Sequence, residues 1–558
     1  MNEKLLRVRN GVFQNRIAST FFVTILLFPI SFNPKILNPF NYGWLWSGGD
    51  ISASFAGWNY FRHVPFFQWP LSANPLNGGL ISQPTIFTDT PPLFALPAKI
   101  LGLLTSQIFQ FTGFQIFLSM LLTIYFSVKI FTSAGVRIQH AYLGAAIISQ
   151  APFLMFRNQF EHYSLNLMWI ALASLYFYMR DTDETGTSPR DLQWFLLVFI
   201  SLTWMPYLVV FIICFWIPWF YQKRIRIKNR KLFLKQQTLG LITSVFMGLT
   251  IDGYWQNLGH SNASGLGFYN ANLLAFVNPR VGGNQDWSRF LPGQDLATDG
   301  QYEGFAFLGT GALLLIVINL TIRSKGSRNF LQKFFKKKRP LAISMAAMML
   351  WATGGMFSLG QQVLLQIRFP APVEAILSTF RSSGRFILPV GLFLLVLIVL
   401  MTYQNFKSKT TAALLLIALT LTSFDQAPNT KIIKIHQSVA NTLTDDQEFI
   451  RDTLLTHKIT RVVFLTPEIS AYDWKMIIIG QSSILGIPVN DGFIARVNQE
   501  NLKKSIRDAE SEFLGGPLRD GTLYVLYPSF IERFQASVTA IESNHKSYKF
   551  KDAQIVVG

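Results

Sequence analysis

The chain has almost no cysteine: Cys214 is the single one in 558 residues, and it lies in an apolar stretch. That excludes an intrachain disulfide and every paired-cysteine spacing of the zinc or redox kind. Charge is scarce as well, at 14% of residues where soluble domains carry about 25%. Acidic residues are the rarer sign, 30 against 49 lysines and arginines, for a net charge of +19. Internal repeats and low-complexity segments are missing, so neither a solenoid nor a long flexible tract is expected. The apolar runs at 17–32, 341–360 and 386–403 have no charge beyond their flanks.

What is present is hydrophobic: 50% of the residues, with 15% aromatic. About 20 apolar residues in a helix cross a bilayer core of roughly 30 Å. In a soluble protein the basic balance would suggest nucleic acid. Here the basic residues cluster in short loops between apolar runs, as the positive-inside rule requires, and no nucleic-acid partner is expected. The N-terminus (Lys4, Arg7, Arg9, Arg16, then an apolar run) imitates a signal peptide, but the run ends in Pro29-Ile-Ser-Phe-Asn-Pro34 without a small-x-small cleavage site. It is read as a retained first helix.

Charge placement orients the spans. The basic loops around residues 129–137, 180–191, 223–231, 323–339 and 407–409 are assigned with the N-terminus to the cytoplasmic side. Parity is satisfied by spans at 17–32, 108–130, 139–156, 160–180, 193–204, 206–221, 236–252, 304–322, 340–360, 385–403 and 411–425. The pair 193–221, broken at Pro206, is either two crossings or a re-entrant hairpin. The fold expected is an all-α polytopic membrane protein of about 11 transmembrane helices over residues 1–429. Regions 33–107, 156–161, 253–303 and 361–384 fall outside, as does a tail over 430–558. In that tail, helix patterns at 445–457, 474–485, 499–512 and 528–542 alternate with strand patterns at 461–465 and 522–527. The alternation predicts a small α/β extracytoplasmic domain.

The outer loop 33–107 is too apolar for disorder, and long loops of that kind are usually functional. Residues 51–62 are expected as a helix in the membrane interface, with Phe55, Trp58 and Phe61 on or near its buried face. Asp50 stands at its start. It fits two roles: a helix N-cap, and a general base that takes a proton from an acceptor hydroxyl. Asp89 is the second candidate carboxylate, although Asp89-Thr-Pro-Pro92 is also an ordinary turn and helix start.

Several strings in this loop resemble a family. Gly49-Asp50, Gly57-Trp58, Phe61-Arg62 and Trp69-Pro70-Leu71, followed by Phe87-Thr88-Asp89, are similar to a bacterial multi-pass group of GT-C-type glycosyltransferases. Phe156-Arg-Asn-Gln-Phe-Glu-His162 and Phe380-Arg-Ser-Ser-Gly-Arg-Phe386 resemble it too, and the likeness covers most of residues 10–425. The resemblance implies sugar transfer on the outer face of the bacterial inner membrane. The donor is a polyprenyl-phosphate sugar and the acceptor a glycan, lipid or protein. It carries the catalytic carboxylate onto Asp50. GT-C enzymes often place two acids side by side here, whereas Gly49 precedes Asp50, which leaves use of a divalent metal open.

Other polar residues fall in the outer turns. Arg381 and Arg385 stand at i, i+4 and on one helical face would clamp the donor phosphate, or snorkel to the headgroups. Arg157 and Arg62 are further phosphate candidates. Glu161, His162 and Glu303 are expected to line the cleft; Glu303 also suits the start of a span, where the helix dipole favours an acid. The competing classes are a transporter or flippase of a lipid-linked glycan and a non-catalytic envelope-assembly factor. A transporter should carry ionisable residues mid-span, and these spans hold almost none.

Overall fold

The computed structural model describes residues 3–79, 84–159, 163–181, 188–257, 265–283, 285–465 and 473–558. Most of the chain is helical, as its apolar runs require. The first half holds α1 (Glu3–Ser31), α2 (Gly49–His63), α3 (Pro92–Leu101), α4 (Thr112–Ser133), α5 (Ile138–Ser149), α6 (Pro152–Gln159), α7 (Trp169–Asp181), α8 (Leu192–Leu202), α9 (Leu208–Arg226) and α10 (Arg230–Asp252). A short hairpin, β1 (Arg280–Gly282) and β2 (Gln285–Asp286), precedes α11 (Thr310–Ile322), α12 (Ser324–Lys337) and α13 (Arg339–Ala352). Then come the hairpin β3 (Met356–Leu359) and β4 (Gln362–Gln366), α14 (Ala371–Ser378), α15 (Leu388–Asn405), α16 (Ser408–Asp425) and α17 (Ala427–His436).

Each expected span contains a described helix, yet the described helices long and apolar enough to cross a membrane are three: Thr112–Ser133, Leu208–Arg226 and Ser383–Asn405. A fourth arises if α16 and α17, bent by 57°, count as one. This corrects the expectation of about eleven. The main reason is length, although α10, with 23 residues, falls short in apolar composition instead. Pro152 breaks 139–156 into α5 and α6, and left-handed Gly354 and Gly355 end α13 at Ala352. Five further apolar helices have only 10–17 residues, about 15–26 Å at 1.5 Å per residue.

The loops gather into two groups. In one, Asn441 Oδ1 accepts from Gly43 N at 2.7 Å, Phe87 O accepts from Ala495 N at 2.7 Å, and Asn272 Nδ2 donates to Gly360 O at 2.8 Å. In the other, Arg137 Nη1 donates to Ser408 Oγ at 3.2 Å and Asn405 Nδ2 to Ser327 Oγ at 2.8 Å. Helix α15 begins in the first group and ends in the second. Its 18 residues separate them by about 27 Å. It is also the most buried of the three long apolar helices, whereas α1, α10 and α16 turn large apolar side chains outward, among them Phe22, Leu239, Phe246 and Leu416.

The tail folds as α18 (Asp445–Thr456), β5 (Arg461–Leu465), α19 (Asp473–Leu485), α20 (Gln499–Leu514), β6 (Thr522–Leu526), α21 (Pro528–Arg533), α22 (Gln535–Glu542), β7 (Lys546–Phe550) and β8 (Ala553–Val557). The sheet order is β5-β6-β8-β7, with β5 and β6 parallel and the other pairs antiparallel. A capping box from Thr444 and Gln447 starts α18. The helix expected over 528–542 is two, divided at Phe534, and the closing hairpin β7–β8 was not anticipated.

Helix α2 is the seam between the two parts. Phe55, Trp58 and Phe61 join the helical core, while Ala56 and Tyr60 join the core of the α/β unit. The Trp58 indole donates to Phe109 O at 2.7 Å, and the Tyr60 hydroxyl to Ile479 O at 3.2 Å. The expectation that α2 lies in the membrane interface is therefore corrected. Its apolar face is covered by protein, and so is the opposite one.

Candidate functional site

Two glycines start α2. Gly48 (φ 102°) and Gly49 (φ 61°) take backbone angles that side chains disfavour, and they turn the chain into the helix. Gly48 is the N-cap, so Asp50 is not; it lies in the first turn, where the helix dipole favours a carboxylate. One turn on, the Ser54 hydroxyl donates to Asp89 O at 2.9 Å, and Thr90 Oγ1 donates back to Ser54 O at 2.8 Å. A Cβ on Gly57 would stand 2.2 Å from Thr88 Oγ1, so the helix and the segment 85–90 are in direct contact. Asp89 itself is left-handed (φ 55°, ψ 21°), a conformation that Asp tolerates better than most residues. Since i and i+4 share a helical face, Asp50 and Asp89 belong to one edge of α2. Asp50 lacks an acidic neighbour in sequence; the segment tied to the next turn of its helix carries Asp89.

Glu303 gathers the arginines. It lies in a 3-10 helix (Asp299–Gly304) rather than at the start of α11, and it is buried. Arg157 Nη1 donates to its Oε2 at 2.8 Å, and Arg157 Nη2 to its carbonyl oxygen at 2.6 Å. Arg385 grips both carboxylate oxygens, with Nε 2.9 Å from Oε2, and Ser382 Oγ adds a bond to Oε1 at 3.2 Å. Burial and Glu303 push the neighbouring Tyr302 phenol up to about 12. Arg381 and Arg385 do not share a helical face, which corrects that expectation. Arg385 enters a buried 3-10 turn (Ser383–Ile387), whereas Arg381 is exposed and lies over the Tyr269 ring, 2.6 Å from its hydroxyl.

A third element was missed. Asp252, the last residue of α10, is fully buried, and neither carboxylate oxygen has a hydrogen-bond partner among the described residues. Buried polar groups without partners are rare. Beside it, Phe87 meets the Tyr254 ring at 5.1 Å. Burial raises the Tyr254 phenol well above its ordinary value, Asp252 and Asp89 add to the rise, and Arg496 opposes it. Arg496 comes from the α/β unit and donates to Thr379 O at 2.8 Å. The available signal was an acid at the C-terminal end of an apolar helix, where the dipole disfavours it.

The other candidates divide. Arg62 is at the far end of α2 from Asp50, about 18 Å along the axis, donating to Gln107 O at 2.9 Å and lying over Phe109. Glu161 and His162 fall outside the described residues. Among the described residues, no group of three or more His, Cys, Asp or Glu side chains is placed to hold a metal ion.

Fold and site together define a mostly helical protein with a carboxylate-bearing loop and an appended α/β unit. Residues 21–427 match the family described as a domain of unknown function, DUF6311. That is most of the chain, and the chain belongs to this family. The match takes in α2, Asp89, Asp252 and Glu303 and stops before the α/β sheet. No curated protein matches the chain.

Proposed function

We propose that this chain is a membrane glycosyltransferase of GT-C type, moving a sugar from a polyprenyl-phosphate carrier to an acceptor outside the bacterial inner membrane. The observation that carries the reading is the shared edge of Asp50 and Asp89, tied by the Ser54 bond. Asp50 takes the proton of the acceptor hydroxyl as the oxygen attacks the sugar's anomeric carbon. The carrier phosphate then leaves. Arg381, exposed and lying over the Tyr269 ring, supplies positive charge for that phosphate. Glu303 holds Arg157 and Arg385 as part of the scaffold.

Membrane insertion is part of the reading. It is supported by the outward apolar side chains of α1, α10 and α16 and by loop groups about 27 Å apart. Asp50, Asp89, Glu303 and the α/β unit all belong to one loop group, which suits chemistry at one membrane face. The test is transfer of labelled sugar from polyprenyl-phosphate donors by the purified chain in nanodiscs. Transfer that Asp50→Asn abolishes supports the proposal. Donor turnover that survives both Asp50→Asn and Asp89→Asn refutes the assignment of the base.

A further inference from the structure

The hairpin β3–β4 does not behave like an ordinary surface loop. In β3 burial alternates, with Met356 and Ser358 facing the protein. In β4 it does not: all of Gln362-Val-Leu-Leu-Gln366 is exposed. Successive residues of a strand point to opposite faces. Val363 pairs with Ser358 and Leu365 with Phe357, on opposite faces, with the bulged Leu364 between them. Val363 (49% exposed) and Leu365 (53%) therefore carry apolar surface on both sides of the ribbon. Helix α14 follows with no buried residue, and its Ile376 is 68% exposed. Over residues 356–380 the charged side chains are Arg368 and Glu374.

The arrangement is held at its base. Leu273 N donates to Ser358 O at 2.9 Å, Ile367 N to Gly355 O at 2.7 Å, and Asn272 pins the turn through Gly360. The ribbon is thus a fixed projection with two apolar faces. A protein partner covers one face of a strand and leaves the other in water. A second copy pairing along the open edge of β4 covers neither. Hydrocarbon surrounds both.

We propose that β4 and α14 insert their side chains into the outer leaflet of the bilayer, with the backbone at the boundary between headgroups and acyl chains. The open edge of β4 sets the depth. Its unpaired N–H and C=O groups are not tolerated in the hydrocarbon core and stay within reach of water and headgroups. Arg368, at the end of the strand, sits at the level of lipid phosphate. The segment 361–384 stays on the outer side, as the charge parity expects, and meets lipid there. The inserted segment runs on to Thr379, which accepts from Arg496, and to Ser382, which donates to Glu303. The proposal rests on the membrane reading above.

The test uses single cysteines at Val363, Leu365, Phe246 and Ser511 in the full chain in nanodiscs, each carrying an environment-sensitive fluorophore. Cys214 is buried and contributes little background. Phe246 reports an outward face of α10, and Ser511 an exposed face of the α/β unit. The expected result is strong loss of fluorescence at both 363 and 365 with lipids bearing a shallow acyl nitroxide, and weak loss with aqueous iodide; Ser511 gives the reverse. A difference between 363 and 365, one shielded and one open, overturns the proposal. Iodide access at both while Phe246 is quenched by lipid overturns the proposal alone. Iodide access at Phe246 as well overturns the membrane reading beneath it.

Discussion

The hydroxyl of Ser54 donates to the carbonyl oxygen of Asp89 at 2.9 Å, and this bond joins the helix that carries Asp50 to the loop that carries Asp89. Two residues far apart in sequence thereby become one edge. The roles of the two carboxylates separate by substitution.

Asp50→Asn removes a proton acceptor while Gly48 remains the cap. The loss of favourable dipole interaction is about 0.3–1 kcal/mol, so the melting temperature stays near wild type. Sugar transfer falls by about 10²-fold or more if Asp50 is the base. An unchanged rate removes it from that role.

Asp89 is left-handed, so its substitutions test backbone and charge apart. Asn and Gly accept φ above zero, whereas Ala there costs roughly 1–2 kcal/mol. Asp89→Asn and Asp89→Gly are expected to melt near wild type, and Asp89→Ala lower. If the carboxylate assists transfer, all three lose activity. Wild-type rates in the Asn variant confine Asp89 to shaping the turn.

Glu303 answers two buried guanidiniums. Removing one partner of a buried ion pair costs roughly 3–5 kcal/mol, so Glu303→Gln is expected to destabilise the protein strongly in thermal or urea melts. Arg385→Lys keeps the charge but loses the planar grip on both oxygens, and lowers stability too. Arg381 is exposed and behaves differently: Lys weakens donor binding, Gln weakens it more, and neither alters melting. Equal donor affinity for Arg381, Lys and Gln means that the phosphate is bound elsewhere.

Orientation is read with an impermeant thiol reagent on sealed vesicles. Ser327 is buried, so Arg328→Cys, which is exposed, is the better inner probe, with Ser511→Cys as the outer one. The two are expected to label from opposite sides. Labelling of both from one side contradicts the assignment of loops to faces.

Lys99 gives a pH signature. Its ammonium lies 4.2 Å from the Phe61 ring centroid, and Nζ is 3.0 Å from Pro65 O. Burial lowers its pKa from 10.5 to about 8. Between those values the unfolded chain binds the extra proton, so stability rises with pH across that window and is level in this respect below it. The melting temperature of wild type is expected to climb relative to Lys99→Met from pH 8 to 10. Parallel curves for the two proteins contradict it.

The sequence made the elements legible where the pattern was local. The strand at 461–465, the helix starting at 499 and the helices over the apolar runs follow from periodicity and caps. It misjudged crossing number because composition reveals apolar runs, while Pro152 and the Gly354-Gly355 turn set how far each helix continues. At the site, Asp50 and Asp89 stood out as acids in an apolar loop. Their neighbourhood did not, because it depends on Ser54 and on the absence of a Cβ at Gly57. The Arg157–Glu303–Arg385 network and Asp252 join segments from four parts of the chain, and no periodicity records such contacts.

The position of α2 has a consequence for biogenesis. Tyr60, made early, bonds Ile479, which the ribosome reaches 419 residues later. Until then one side of α2 has no core to enter, and the edge holding Asp50 and Asp89 rests on half its support. Contacts of such long sequence separation form slowly. The segment of α2 that carries Asp50 gains its second support last, so an unfinished or tailless chain holds it incompletely.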